Sequence, residues 1–182
     1  GKGERPFEEI SKVAPLGVYG ASKLSGEEVI RSKLERHIIL RTAWVFGASG
    51  VNFVKTMLSL AETRSELGVV GDQYGAPTSA RGIAKAIATL LACMSEAESA
   101  DKRWGTYHYT GWPFVSWAEF AHEIFLRAFQ LGIISNIPTV SAIASKQYPT
   151  PAKRPHNSRL NCSKIKETFG IHSNDWHQSL EE

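Results

Sequence analysis

The stretch HIILRTAWVFG, residues 37–47, decides the fold class of this protein. Its apolar residues follow one another without the polar alternation of a half-exposed strand, and the run is rich in β-branched and aromatic side chains. A short, continuous apolar run of this kind is typical of a strand buried on both faces, as in a parallel sheet. The sequence therefore predicts a buried parallel strand here.

The segment before this strand has the pattern of a helix over about residues 16–35. Glu27 and Glu28 precede Arg31 and Lys33 at helical spacings, which favours a solvated helix face. A helix followed by a buried strand is half of a βαβ unit. We therefore expect an α/β arrangement around residues 37–47.

Similar patterns alternate along the rest of the chain. The predicted helices cover residues 52–64, 78–94, 116–132, 163–170 and 174–180, and the predicted strands cover residues 67–70, 105–111 and 137–143. Ser116 and Glu119 have the spacing of a capping box at the start of one helix. This order of elements predicts an α/β fold.

Composition and charge exclude several classes of protein. The chain of 182 residues is 42% hydrophobic and 21% charged with a net charge of +3, and no long run of like charges favours nucleic-acid binding. No apolar run is long enough for a membrane helix, and no signal peptide is visible. Cys93 and Cys162 form no CxxC pair and read as reduced thiols, and the histidines lack zinc-site spacing. We expect a cytoplasmic protein without nucleic-acid, membrane or protein-bound metal partners.

Tyr19 and Lys23 lie four residues apart and therefore on one face of the predicted helix. An ammonium about 5 Å from a phenol favours the phenolate by roughly 3 kcal/mol at an effective dielectric constant of about 20. Such a phenol can give its proton to a developing alkoxide, as the reduction of a ketone requires. The alternative is an ordinary contact on a solvated helix. The small residues Gly20, Ala21 and Ser22 between the pair favour the catalytic interpretation, because they permit close approach of a flat cofactor.

Five segments carry a resemblance to a known family: PLGVYGASKLSGE, ILRTAWVFG, NFVKTML, VVGDQYGAPTSA and RPHNSRLNCSKI. In this order they resemble the dTDP-4-dehydrorhamnose reductases of the extended short-chain dehydrogenase/reductase superfamily. The Tyr-x-x-x-Lys spacing is shared across the superfamily, whereas RTAWVFG and DQYGAPT point to this family. The resemblance implies reduction of the C4 ketone of dTDP-4-dehydro-L-rhamnose to dTDP-L-rhamnose with NADPH or NADH.

The resemblance also implies roles for individual residues. Tyr19 matches the catalytic proton donor, and Lys23 matches the residue that eases release of that proton and holds the nicotinamide ribose. Trp44 matches a tryptophan that lines the sugar pocket; independently, it lies near the carboxyl end of a predicted parallel strand, where α/β sheets bind ligands. Plain core packing is the alternative for Trp44. Arg154 and Asn157 are candidates for the nucleotide diphosphate or sugar, with a solvated loop as the alternative.

The implied architecture is the C-terminal part of a Rossmann-like, doubly wound parallel sheet plus a smaller α/β substrate-binding lobe. Residues 1–47 and 69–112 would belong to the remainder of the nucleotide-binding lobe. Residues 48–68 and 113–182 would belong to the substrate-binding lobe. Family members that form magnesium-linked dimers suggest a homodimer and a magnesium ion, although no acidic cluster in the sequence assigns the ion.

Some parts of the family pattern are absent. The sequence contains neither GxGxxG nor GxxGxxG, the glycine-rich turn that approaches the pyrophosphate, nor the family's Ser/Thr-Asp-Tyr stretch. We therefore expect the chain to be the C-terminal portion of a reductase and inactive by itself. Gly17 stands where the family commonly has asparagine, which puts one cofactor contact in doubt. The residue that would choose between NADH and NADPH is not identified.

Two other functions fit parts of the same evidence. A nucleotide-sugar epimerase or dehydratase of the superfamily uses the same Tyr-Lys pair, but the RTAWVFG and DQYGAPT blocks favour the reductase. A non-catalytic binding subunit with this fold would not need the pair at all. Substitution of Tyr19 discriminates the enzymes from the binding subunit.

Overall fold

The computed structural model describes residues 3–150 and 152–181. In these ranges the helices are α1 (Val18–Lys33), α2 (Phe53–Ala61), α3 (Ala80–Met94), α4 (Trp117–Gln130), α5 (Ser163–Phe169) and α6 (Trp176–Ser179). The strands are β1 (Ile38–Arg41), β2 (Val45–Phe46), β3 (Glu66–Val70), β4 (Tyr74–Gly75), β5 (Thr78–Ser79), β6 (Gly105–His108), β7 (Val115–Ser116) and β8 (Thr139–Ile143). None of the helices in the described ranges has the length and apolarity that a membrane crossing requires.

Most strand pairs are parallel. β1 pairs with β6, with Ile38 opposite Gly105 and Arg41 opposite His108. β2 pairs with β5 and β3 with β8, also in parallel, whereas β4 and β7 form an antiparallel pair. Because helices lie between the parallel partners in the sequence, the predicted α/β fold class is confirmed.

The apolar run at residues 37–47 forms two strands rather than one. β1 ends at Arg41, and Trp44 adopts a left-handed backbone conformation with φ of 51° before β2 begins. Of the residues in β1, Ile39 is buried and the other three are partly buried. The prediction of one strand buried on both faces was therefore too simple, because a residue at positive φ redirects the chain after Arg41.

Side-chain caps start several of the predicted helices. The Ser79 hydroxyl accepts a hydrogen bond from the Gly82 backbone N–H at 3.0 Å, at the start of α3. Ser116 and Glu119 form the predicted capping box at the start of α4. Each cap satisfies backbone N–H groups that have no partner inside the helix, which sets the first residue of the helix.

The buried side chains form two clusters. One cluster lies between α2, α4 and β3 and includes the buried residues Phe46, Met57, Leu67, Val69, Ala118, Phe120, Ala121, Ile124, Phe125 and Trp176. The other lies between α3, α5 and β6 and includes Ala86, Leu90, Tyr107, Tyr109, Ile165 and Ile171. The C-terminal segment thus contributes to both clusters, through Trp176 to the first and through Ile165 and Ile171 to the second.

Candidate active site

Tyr19 and Lys23 lie in the first turns of α1, as the spacing predicted. The Lys23 Nζ atom is 5.4 Å from the centroid of the Tyr19 ring. Tyr19 is 77% exposed, so its hydroxyl is open to a ligand rather than enclosed in apolar packing. The two side chains are therefore adjacent and accessible, and their catalytic role stays a prediction.

One ion pair connects the Tyr19–Lys23 helix to the sheet. Two hydrogen bonds from Arg41 in β1 reach the Glu27 carboxylate, from Nε at 2.8 Å and from Nη2 at 2.6 Å. Arg31 in the next turn of α1 also donates to this carboxylate. The hydrogen bonds from Arg41 outweigh burial and hold the pKa of Glu27 below its ordinary value, and the same contact raises the pKa of Arg41.

Arg41 also belongs to a polar group around the N-terminal segment. Its Nη1 donates to the Glu9 carbonyl oxygen at 3.5 Å, and the Glu9 carboxylate accepts from the His108 backbone N–H at 3.0 Å. His108 is buried, and its Nδ1 lies 3.1 Å from the Phe7 carbonyl oxygen. Burial lowers the pKa of His108, and the Glu9 carboxylate only partly opposes this effect. The carboxyl ends of β1 and β6 are thereby joined to residues 7–9.

The Trp44 indole packs against Trp117 and Gly75 and is partly buried. The Trp117 ring stacks on one face, with centroids 3.5 Å apart and an interplanar angle of 11°. A Cβ atom at Gly75 would lie 2.5 Å from Trp44 Cε2 and 2.7 Å from Nε1, so the backbone of Gly75 packs directly against the indole. The Trp44 carbonyl oxygen accepts from the Thr78 backbone N–H at 3.0 Å. A ligand can therefore meet only the part of this indole that Trp117 and Gly75 leave uncovered.

Asn157 is buried and its amide is engaged within the protein. Its Nδ2 donates to the carbonyl oxygens of Gly3 at 2.9 Å and Arg5 at 2.8 Å. Its Oδ1 accepts from the backbone N–H of Arg159 at 3.1 Å and from Nε of Arg159 at 2.9 Å. In the described chain this leaves the amide no free donor or acceptor for a nucleotide sugar. The Asn157 amide therefore orients Arg159, and a direct contact of Asn157 with a substrate stays a prediction.

The two candidate arginines of this loop differ in their surroundings. The Arg159 guanidinium lies 5.5 Å from the centroid of the Tyr74 ring, beside Asn157. Arg154 is exposed and has no hydrogen bond or ion pair among the described residues. Arg159 is thus held in one orientation, whereas Arg154 is a solvated cation that an anionic ligand can recruit.

The structure brings some of the predicted residues together and leaves others apart. β4 joins Trp44 to the loop with Asn157, because Gly75 packs on Trp44 and Tyr74 forms a β-bridge with Asn157. In the described chain no hydrogen bond, ion pair or ring contact links Tyr19 or Lys23 to Trp44. The Tyr19–Lys23 pair and Trp44 are connected along the chain by β1, which follows α1 and ends three residues before Trp44.

Sequence reasoning missed four residues that shape the site, namely Glu27, Arg41, Gly75 and Trp117. For two of these residues, the sequence contained a pattern that could have identified them. Arg41 is a charge inside an apolar strand, and such a charge requires a partner. Glu27 is four residues after Lys23, on the same helix face. The packing of Gly75 and Trp117 against Trp44 had no such signal, because the contacts join segments far apart in the sequence.

Two surface cavities lie away from the candidate residues, and no cluster of metal ligands is found among the described residues. One surface cavity of about 620 Å³ is lined by residues from 92–103, and another of about 430 Å³ lies beside α4, β8 and Trp176. No predicted site residue lines either cavity within the described ranges. The described residues also contain no group of three or more His, Cys, Asp or Glu side chains that could hold a metal ion. Among the candidate residues, Tyr19, Lys23 and Arg154 are exposed, whereas Trp44 is partly buried and Asn157 is buried.

Comparisons with known proteins agree with the resemblance seen in the sequence. A family model described as the RmlD substrate binding domain matches residues 1–182. A dTDP-4-dehydrorhamnose reductase of Aggregatibacter actinomycetemcomitans is 45% identical over 174 residues, which are 96% of this chain and 58% of that protein.

Solved structures agree as well. The structure of a dTDP-4-dehydrorhamnose reductase from Clostridium acetobutylicum matches with a TM-score of 0.86 and 35% identity, over 100% of this chain and 59% of that one. A dTDP-4-dehydrorhamnose reductase from Bacillus anthracis, solved in complex with NADP, matches with a TM-score of 0.81 and 31% identity, over 97% of this chain and 58% of that one. These matches confirm the predicted Rossmann-like α/β fold class.

The matches cover nearly all of this chain but only part of its relatives. The chain spans about 58% of the length of the curated relatives that it matches. Because the family model matches every residue from 1 to 182, membership does not rest on a short motif. The chain belongs to the RmlD substrate binding domain family.

Proposed function

We propose that this chain provides the proton donor and the sugar-binding residues of an NAD(P)H-dependent reductase that converts dTDP-4-dehydro-L-rhamnose to dTDP-L-rhamnose. The observation that carries the proposal is the exposed Tyr19 with the Lys23 ammonium 5.4 Å from its ring, in a chain whose relatives are named dTDP-4-dehydrorhamnose reductase. The names of the relatives indicate the substrate class, and the Tyr19–Lys23 pair indicates the proton transfer.

The residues of α1 fit a nicotinamide dinucleotide. Tyr19 and Lys23 present a hydroxyl and an ammonium one helical turn apart on exposed surface, where they can hydrogen-bond to ribose hydroxyls. A Cβ atom at Gly17 would meet no described atom within 4 Å, so space beside the pair is open. When bound, the dinucleotide supplies the hydride. The NADP in the Bacillus anthracis relative supports this cofactor class, and the proposed cofactor is NADPH or NADH.

Tyr19 acts as the general acid of the reduction. As negative charge develops on the C4 oxygen of the sugar, the phenol donates its proton to that oxygen. The phenolate that remains is stabilised by the ammonium of Lys23 across the short distance between them. Lys23 thus has two roles, to stabilise the phenolate and to hold the ribose.

The substrate would be held by side chains after β1 and in the loop around residues 154–159. Trp44 limits the sugar pocket with the part of its indole that Trp117 and Gly75 leave uncovered. Arg154 is a free guanidinium that suits a diphosphate. Asn157 acts on the same subsite through Arg159. This distribution is supported by the contacts of β4 with Trp44 and with Asn157.

The proposal includes the lobes predicted from the sequence. Residues 1–47 and 69–112 form the remainder of the nucleotide-binding lobe, and residues 48–68 and 113–182 form the substrate-binding lobe; residues 1, 2, 151 and 182 lie outside the described residues. A cytoplasmic location agrees with the free thiols of Cys93 and Cys162. The homodimer stays a prediction from the resemblance, and magnesium has no part in the proposal.

The test uses the complete product of the gene that encodes this chain. Addition of dTDP-4-dehydro-L-rhamnose should consume one NADPH or NADH per sugar reduced, and Tyr19→Phe should lower kcat by about 100-fold or more, since general acids contribute about 10²–10⁴-fold. Tyr148→Phe is the matched control, because Tyr148 is also exposed but lies far along the chain in another loop. Turnover of Tyr19→Phe within about twofold of the wild type would refute the assignment. Conversion of nucleotide sugar without net cofactor consumption would indicate an epimerase or dehydratase.

A further inference from the structure

We infer that Glu27 and Arg41 are positioning residues, which hold the Tyr19–Lys23 face of α1 at a set distance and rotation relative to β1. The inference rests on the proposed function, because it assigns these two residues a purpose in the same reaction. It adds two residues that touch neither the reacting atoms nor the substrate.

The spacing places Glu27 below the catalytic pair. Tyr19, Lys23 and Glu27 follow one another at four-residue steps, so they share one face of α1. Within α1, Glu27 is partly buried, whereas Tyr19 and Lys23 are exposed. Glu27 is therefore the point at which the face of α1 that carries Tyr19 and Lys23 contacts the rest of the protein.

Packing does little to orient α1. None of its residues, all of which lie in the described part of the chain, is buried. A helix in a globular protein is normally held by a buried apolar face. Within this chain, polar contacts join α1 to the sheet, namely those of Glu27 with Arg41 and that of Arg31 with the Thr106 hydroxyl at 3.4 Å.

The contact has a fixed geometry at both ends. The two donors of Arg41 meet both oxygens of Glu27, at 2.8 Å and 2.6 Å, and a bidentate pair of this kind restricts rotation as well as distance. Arg41 is itself placed by the pairing of β1 with β6 and by its hydrogen bond to the Glu9 carbonyl. The side chains of Arg41 and Glu27 are 20% and 17% exposed, so water screens the pair less than an ordinary surface ion pair.

The consequence for the reaction is geometric. A displacement of about 1 Å at a reacting group can lower the rate about 100-fold. If α1 turns or slides, the Tyr19 hydroxyl and the Lys23 ammonium move together relative to the sheet, while the contact between them persists. Loss of the Glu27 contact should therefore lower kcat without separating the catalytic pair.

The kinetic test uses the complete gene product. Glu27→Gln keeps the shape of the side chain and removes its charge, and it should lower kcat about 10- to 100-fold at temperatures well below its unfolding midpoint. Arg41→Lys keeps the charge but loses the bidentate fork, so an intermediate loss is expected. Asp101→Asn is the matched control, since Asp101 also accepts several hydrogen bonds from one arginine, Arg103, at a site away from α1. It should leave kcat unchanged.

A double substitution tests whether the two residues act as one unit. The kcat of the variant with both Glu27→Gln and Arg41→Gln should be no lower than that of the slower of the two single variants, Glu27→Gln and Arg41→Gln. The reason is that the effects of residues that act through each other are not additive. Losses that multiply would show two independent effects and would overturn the inference. A kcat of Glu27→Gln within about twofold of the wild type would also overturn it.

Hydrogen exchange gives a readout that does not depend on turnover. In this chain, Glu27→Gln should accelerate exchange of the amides of α1 about tenfold or more and leave those of α3 unchanged. Unchanged exchange in α1 would contradict the positioning role even if turnover fell. If the wild type shows no reductase activity, the proposed function fails by itself, and the exchange experiment still decides whether Glu27 holds the helix.

Discussion

Gly75 is the residue whose missing side chain shapes the surroundings of Trp44. It lies in the DQYGAPT segment, and a Cβ atom there would overlap the indole at 2.5 Å from Cε2. Its φ is not in the left-handed region, so the requirement for glycine is one of space rather than of backbone conformation. The stack of Trp44 on Trp117 depends on that space.

Gly75→Ala should therefore displace the Trp44 indole and weaken its stack on Trp117. Overpacking of a close contact typically destabilises a protein by about 1–3 kcal/mol, and a loss of that size is expected. Urea unfolding measures the change in the free energy of unfolding, and near-ultraviolet circular dichroism reports the stacked indoles.

The matched control is Gly26→Ala in α1, where a new Cβ atom would meet no described atom within 4 Å. This substitution should stabilise the protein by about 0.5–1 kcal/mol, because alanine favours a helix over glycine. A Gly75→Ala variant with unchanged stability and an unchanged indole signal would show that the overlap is relieved without moving Trp44.

At the scale of single elements, α1 is attached to the sheet by an ion pair. Glu27 is faced by Arg31 on its own helix and by Arg41 from β1, and Glu9 is the nearest further carboxylate on Arg41. The Glu27 carboxylate thus lies between two guanidinium groups, and Arg41 also interacts electrostatically with Glu9 and His108. This arrangement makes the attachment of α1 sensitive to acid.

Acid should weaken the attachment of α1 to the sheet. The contact with Arg41 lowers the pKa of folded Glu27 below its ordinary value of 4.5. The stabilisation is therefore fully present above about pH 4.5 and is lost as the pH falls through the lower folded pKa. Between pH 7 and the acid range, the wild type should lose more free energy of unfolding than Glu27→Gln, measured by urea unfolding at each pH. Equal losses would show that Glu27 does not contribute to the acid sensitivity.

At the scale of the whole molecule, the C-terminal segment ties the two buried clusters together. Ile165 of α5 is fully buried in the cluster of α3 and β6, and Trp176 of α6 is buried in the cluster of α2, α4 and β3. The segment between them is short. A loss of packing in one cluster should therefore also lower the stability of the other, and the chain should unfold in one cooperative step.

Ile165→Ala tests this coupling. The substitution leaves a cavity in the second cluster and should cost about 2–5 kcal/mol. The resulting decrease in the thermal midpoint should appear equally in tryptophan fluorescence, which includes Trp176 in the first cluster, and in the circular dichroism of the whole chain. Ile133→Ala is the control, since Ile133 is 60% exposed and its loss should change stability by about 0.5 kcal/mol or less. Two separate transitions would show that the clusters unfold independently.

Local patterns predicted most of the helices and their starts because the physics that sets them is local. The capping box of Ser116 and Glu119 needs only four consecutive residues, and the period of apolar residues in α3 needs only one helix. The two-residue strands β4, β5 and β7 were not predicted as strands, and β2 was not separated from the single strand predicted over residues 37–47. Each has two residues, and each exists because a partner elsewhere in the chain completes its hydrogen bonds.

The sequence by itself determined the α/β class, the family resemblance and the contact of Tyr19 with Lys23, since a helix turn brings residues four apart together wherever the helix lies. Only the tertiary structure decided that Arg41 binds Glu27, that Gly75 and Trp117 pack against Trp44, and that the amide of Asn157 is used inside the protein. The physical reason is distance along the chain: these contacts join side chains that no local period relates, and they form only after strands and loops have packed.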